Sequence, residues 1–165
     1  IGSREKKEKF RMNMPQITEA HRKLEKLVGT WLGQEKMSPS PWDPQGGPAT
    51  GKVQNRLALN GFFIVQDYEQ QRNGSASFAG HCVFGWDPVK NACVMHWFDS
   101  MGSPPAIYSG QFQGDVLTVT TQGAFGHTRA VFDLAKEKQY TFKMDVSQDG
   151  SVWHPFMEGT YVRQG

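Results

Sequence analysis

Long apolar runs are missing from this 165-residue sequence. No segment approaches the roughly 20 consecutive apolar residues that a membrane-crossing helix needs, so a helical integral membrane segment is excluded. The first 30 residues lack an apolar stretch of signal-peptide type, so no such peptide is expected. Cysteine is scarce. Cys82 and Cys93 are the only two, and their spacing fits no CxxC zinc or redox motif. Both fall among apolar residues on either side of a tight turn, which leaves a cross-strand pair open. Two reduced thiols in a cytoplasmic protein are the expectation. Charge of one sign is also lacking. Residues 31–165 carry ten Lys/Arg and twelve Asp/Glu, and the basic surplus lies in residues 1–30, with eight Lys/Arg and four Glu. That surplus is mixed in sign through Arg4-Glu5-Lys6-Lys7-Glu8-Lys9. Such a stretch reads as a solvated extension, not a nucleic-acid-binding face. No Gly-x-Ser-x-Gly elbow, His-Glu-x-x-His helix, Cys/His cluster or phosphate-cradling glycine loop is present. No catalytic set, metal site or cofactor is therefore assigned from motifs.

What the sequence does have is aromatics and turns. Eleven Phe, five Trp and four Tyr are enough for one large core. Ile17, Ala20, Leu24, Leu27 and Val28 recur at helical spacing, with Pro15 as a start and Gly29 as a stop. This predicts one short amphipathic helix over 15–28. From residue 29 the period becomes two. Strands are predicted over 29–37, 51–59, 62–71, 77–86, 92–99, 105–113, 116–122, 127–135, 139–146 and 152–163. Asn60-Gly61, Asn73-Gly74, Asp87-Pro88, Gly114-Asp115 and Asp149-Gly150 are among the breaks, and each is turn chemistry. Asn73-Gly74 suits a type I′ hairpin turn better than a glycosylation site. The segment 38–50, rich in Pro and Gly and carrying Trp42, reads as a long loop able to cover one end.

Short connections force antiparallel neighbours, and regular strand spacing points to a sandwich or a barrel. The expected fold class is all-β: an antiparallel barrel of about ten strands, with the N-terminal helix plugging or flanking one end. Residues 1–14 are expected to be a disordered or helical extension, and 15–165 a single barrel domain. The opening Ile-Gly-Ser, without Met, is compatible with a processed end or a cloning remnant.

Leu27-Val28-Gly29-Thr30-Trp31-Leu32-Gly33 looks like the opening of calycin-type barrels. Gly85-Trp86-Asp87-Pro88, His96-Trp97-Phe98-Asp99-Ser100, Gly110, Phe112 and Phe156-Met157-Glu158-Gly159-Thr160-Tyr161-Val162-Arg163 add a more particular pattern. Over residues 20–163 this resembles a family of uncharacterised, mostly bacterial, lipocalin-like proteins. That family is similar in fold to nitrobindin, a haem-binding barrel, and more distantly to fatty-acid-binding proteins. The resemblance implies a barrel of about ten strands and brings no established activity.

Candidate site residues follow from strand alternation and from the resemblance. Met157, Gly159, Tyr161 and Arg163 share a face. Arg163 and Tyr161 are placed like the carboxylate clamp of fatty-acid-binding barrels; the alternative is a terminal Arg near solvent beside a core Tyr. Residues 92–99 present two mixed faces, one of them with Cys93, Met95, Trp97 and Asp99. Asp99 is either a buried carboxylate that orients a ligand or an Asx-turn residue ending its strand.

The expected partner is a small apolar ligand, bound without catalysis and lined by Trp31, Trp97, Asp99, Tyr161 and Arg163. Three alternatives stand beside it. The first is a haem protein with His154 or His96 as axial ligand. It is weakened by Pro155, and by Glu35 where nitrobindin-like chains carry glycine. The second is a small enzyme using Asp99 and a His as acid and base. The third is a packed module that forms a homodimer.

Overall fold

The computed structural model describes residues 2–12 and 14–165; Ile1 and Asn13 lie outside the described residues. Helix α1 spans Gly2–Met12, so the described part of the expected extension is helical. Helix α2 covers Glu19–Leu24 and tightens into a 3₁₀ turn at Glu25–Leu27. It starts later than the predicted 15–28 because Thr18, extended at φ −106°, is the N-cap. The Thr18 N–H donates to Nδ1 of His21 at 2.9 Å, and His21 stands edge-on to Phe62. This side chain satisfies one of the N–H groups that a helix start leaves without a partner.

Ten strands follow: β1 Gly29–Met37, β2 Gly47–Ala58, β3 Phe63–Arg72, β4 Ser75–Asp87, β5 Ala92–Asp99, β6 Ala106–Gln113, β7 Val116–Gly123, β8 Gly126–Asp133, β9 Gln139–Ser147 and β10 His154–Arg163. Each pairs with its sequence neighbour, and β1 pairs antiparallel with β10, so the sheet is a closed barrel. The fold class read from the sequence is the one observed. Asn73 and Gly74 both have positive φ (53° and 76°), as a two-residue type I′ turn requires. The ladder slips between Pro155 and Met157, where a proline cannot donate to it.

One boundary moves substantially. β2 begins at Gly47 and not at residue 51, which shortens the loop to residues 38–46. Gly47 and Pro48 pair with Met37 and Lys36 of β1, but β3 joins β2 only from Thr50 onward. Pro48 therefore sits where one side of the strand has no partner, a position that tolerates proline. The shortened loop is tied to the wall: Arg72 donates to Asp43 Oδ2 at 2.6 Å and to the Gly46 carbonyl at 2.7 Å. Trp42 is left 79 % exposed, so it does not line the interior.

Helix α2 and its 3₁₀ turn close one end. Leu24 and Leu27 are buried in the same core as Trp31, Val53, Ile64, Phe84 and Leu117. Each such apolar side chain contributes about 1.5–3 kcal/mol on burial. The carbonyls that the turn leaves without helical partners find them in the barrel. Trp31 Nε1 and Asn55 Nδ2 both donate to the Leu27 carbonyl at 2.8 Å. Arg163 donates to the Val28 carbonyl at 2.5 Å and the Lys26 carbonyl at 3.3 Å. The other end, the mouth, is rimmed by loops 38–46, 73–74, 100–105, 124–125 and 148–153.

Cys82 and Cys93 are both buried and unpaired. Cys82 lies opposite Trp97 and Cys93 opposite Trp86, four rungs apart along the β4–β5 ladder. At about 3.3 Å per residue that is roughly 13 Å, beyond the reach of a disulfide.

Candidate functional site: a buried carboxylate between two tyrosines

Trp31 points into the barrel, so the two-residue period turns Gly33 and Glu35 inward with it. Glu35 is only 5 % exposed. Its Oε1 accepts from Tyr161 Oη at 2.5 Å and from Tyr68 Oη at 2.7 Å. Its Oε2 accepts from Gln70 Nε2 at 2.9 Å. The same amide nitrogen lies 3.1 Å from Tyr68 Oη and 3.4 Å from Met37 Sδ. Ser77 Oγ donates to Gln70 Oε1 at 3.3 Å. Both carboxylate oxygens thus accept from neutral donors. Among the described residues no Lys, Arg or His forms an ion pair with Glu35.

Glycines make the room. A β-carbon on Gly51 would land on Glu35 Oε1, one on Gly33 would land on the Tyr161 ring, and one on Gly159 would lie 2.8 Å from Tyr161 Cε2. Tyr140 stacks on Tyr161 at 4.8 Å between centroids and 9° between planes. Trp31 meets Tyr140 edge-on at 4.9 Å, and the Arg163 guanidinium lies 4.3 Å over the Trp31 ring. An aromatic column therefore runs from the closed end up to Glu35. A second group leads from Glu35 to the mouth. Tyr68 lies 6.3 Å from both Phe78 and Trp97, and Phe78 stacks with Trp97 at 6.4 Å.

The expected site residues fall into three places. Tyr161 is on Glu35. Trp97 and Asp99 are together at the mouth, with Trp97 Nε1 donating to Asp99 Oδ2 at 2.9 Å. Asp99 Oδ1 accepts from the Met101 N–H at 3.0 Å, which is the Asx-turn reading. No histidine hydrogen-bonds to Asp99 among the described residues, so an Asp99–His acid–base pair gains nothing. Trp31 and Arg163 are at the closed end. Arg163 does not join Tyr161 in a clamp, because its guanidinium is spent on the Lys26 and Val28 carbonyls.

His96 and His154 are exposed. His96 alternates outward between inward Met95 and Trp97, and His154 opens β10 on the mouth side of the Pro155 slip. Neither can ligate a haem inside the barrel. Glu35, the departure from a nitrobindin-like pattern, fills interior space with its side chain.

Two concavities border the barrel. One, of about 560 Å³, lies on the wall formed by β1, β10 and β9 and is lined by exposed Gln34, Lys36, Thr141 and Lys143. The other, of about 360 Å³, lies at the rim over the β3–β4 hairpin and is lined by Gln70, Ser77, Phe78 and Ser100. Gln70 belongs both to this rim groove and to the Glu35 network.

The buried phenols and thiols of the interior resist ionisation. Burial first, then the charge of Glu35, pushes the Tyr161, Tyr68 and Tyr140 phenols well above their ordinary value of 10.0. Burial pushes the Cys93 thiol from 9.0 up to about 12, and raises Cys82 as well. Groups raised in the folded state stabilise fully below their unfolded values and lose that contribution as pH rises past them. Stability is expected to decline above pH 9 as unfolded thiols ionise, and more steeply above pH 10 as unfolded phenols follow. Each group adds a slope of about 1.4 kcal/mol per pH unit. Urea midpoints between pH 8 and pH 11 test this, and a flat midpoint contradicts it.

None of the curated proteins matches the sequence. Among solved structures, Rv2717c from M. tuberculosis superposes with a TM-score of 0.66 at 12% identity, covering 91% of this chain and 100% of that one. The S-type phycobiliprotein lyase CPES from Guillardia theta superposes with a TM-score of 0.64 at 12% identity, covering 92% of this chain and 99% of that one. At such identity these likenesses establish the barrel fold alone. Residues 16–163 match the family described as Protein of unknown function (DUF1579), and the chain belongs to that family.

Proposed function

We propose that this barrel, of lipocalin-like kind, binds a small, largely apolar molecule through its mouth without catalysing a reaction. The observation that carries this is Glu35, a carboxylate in the barrel interior held by neutral donors alone. Such a group is costly to bury unless its hydrogen bonds serve something. The rim groove, with Gln70 as its contact to Glu35, and the Tyr68–Phe78–Trp97 group supply an apolar approach. The groove lining itself is mainly polar, with Glu69, Gln70, Gln71, Ser77 and Ser100 beside Phe78, and an aromatic group with a few convergent polar groups suits small ligands. The phycobiliprotein lyase shares the barrel, which fits a ligand-binding use of it. Among the described residues no helix is long and apolar enough to cross a membrane. Two buried unpaired thiols fit a reducing, cytoplasmic setting.

The test is native mass spectrometry of freshly purified protein, followed by thermal-shift screening of small amphiphilic molecules against wild type and Glu35→Gln. A captured mass, or a stabilising compound whose effect Glu35→Gln removes, is the expected result. A ligand is expected to raise the midpoint by mass action, since it binds the folded chain only. No bound mass and no stabilising compound would overturn the reading in favour of a packed module.

A further inference from the structure

We propose that the ligand this site takes is an organic cation: a protonated amine or amidinium carried on an apolar or aromatic body. The proposal rests on the small-molecule reading above and names its chemical class. The inward-facing charges are unbalanced. Glu35 sits at the centre and Asp99 at the rim, whereas Arg163 is committed to the Lys26 and Val28 carbonyls at the closed end. Arg72, at the rim, is committed to Asp43 and the Gly46 carbonyl, so among the described residues an anionic head group entering from the mouth would meet two unpaired carboxylates and no free guanidinium or ammonium. A cation would meet a carboxylate in a low-dielectric interior, where attraction between opposite charges is strongest.

The position such a nitrogen would take is already marked. Gln70 Nε2 is placed 2.9 Å from Glu35 Oε2, 3.1 Å from Tyr68 Oη and 3.4 Å from Met37 Sδ. That is a set of acceptors converging on one N–H donor, and Gln70 also lines the rim groove. An incoming ammonium replaces the amide on Oε2 when the Gln70 side chain swings toward the rim. A charged donor makes the stronger hydrogen bond to a carboxylate. The rings of Tyr68, Phe78 and Trp97 stand on the path from the mouth, and their faces favour cations over anions. The two tyrosines on Oε1 hold the carboxylate still, so it is preorganised and not ordered by the ligand.

Three probes of similar size separate the possibilities: 2-phenylethylamine, 2-phenylethanol and phenylacetate, titrated near pH 7 by ligand-observed NMR. Wild type is expected to bind the amine at least tenfold tighter than the alcohol, with phenylacetate weakest. Glu35→Gln is expected to bring the amine and alcohol to within about twofold of each other. Gln70→Ala, which frees Oε2, is expected to strengthen the amine several-fold and leave the alcohol unchanged. It serves as an independent variant should Glu35→Gln fold poorly. If wild type binds the alcohol or the acid as well as the amine, the cation class is overturned while the binding reading stands. If Gln70→Ala leaves amine affinity unchanged or lowers it, the placement on Oε2 is overturned. If none of the three binds, nor any compound in the thermal-shift screen, both readings fail together.

Discussion

Glu35→Ala is expected to lower the unfolding free energy by about 3–5 kcal/mol. The loss has two parts. Truncation opens a cavity in a fully enclosed place, and neighbouring glycines at positions 33, 51 and 159 have no side chains with which to fill it. It also strands the Tyr68 and Tyr161 hydroxyls and the Gln70 amide, each buried and each deprived of its acceptor. A buried unsatisfied donor costs about 1–3 kcal/mol. Glu35→Gln keeps the volume and one acceptor oxygen, but turns an NH₂ toward a donor, so it is expected to cost about 1–2 kcal/mol. Urea unfolding followed by tryptophan fluorescence ranks the two. An alanine variant as stable as wild type would show that the network contributes nothing to the fold.

The second large effect is expected at Gly110, far from the site. It lies in β6 between Cys93 of β5 and Val119 of β7. A β-carbon there would fall on the Thr118 carbonyl oxygen and within 2.8 Å of Val119 Cα, both of them backbone. Backbone cannot yield by changing rotamer, and in a closed barrel β7 is held from its far side by β8. Gly110→Ala is therefore expected to cost about 3 kcal/mol, at the upper end of overpacking effects. Gly123→Ala is the control. It sits at the end of β7 with nothing within 4 Å and no positive φ, so it should change stability by less than about 0.5 kcal/mol. Equal midpoints for the two variants would refute the steric account.

The architecture was legible because its signals are local. Positive φ at Asn60, Gly61, Asn73, Gly74, Gly114 and Gly150 sits where the turn residues place it, and β1 and β5 have the predicted bounds. The partners of Arg163 are not legible, for the opposite reason. Its acceptors at Lys26 and Val28 are 137 and 135 residues away, and no spacing rule connects them. The faces of β5 were ambiguous because Cys93, Met95 and Trp97 alternate with Val94, His96 and Phe98, which are equally apolar on average. The rungs shared with β4 and β6 decide it. Glu35 was the instructive miss. A lone glutamate in a strand reads as solvent-facing, yet the period from Trp31 through Gly33 puts it on the buried face. Glycines inside neighbouring strands, at 51 and 159, marked a close approach that the turn reading of glycine passed over.

Barrel closure also has a kinetic meaning. The Tyr161–Glu35 hydrogen bond joins residues 126 apart, across the seam where β1 meets β10. Every other rung of the barrel links sequence neighbours and can form by zipping hairpins, but this seam requires the two ends of the chain to meet. The site is consequently assembled only when the ring is complete. A partly folded chain, however many hairpins it has formed, holds Glu35 and Tyr161 on opposite unjoined edges and has no binding site to offer. A ligand that engages the tyrosine-free side of Glu35, at Oε2, thus recognises the finished barrel alone, and it is expected to act as a latch on ring closure.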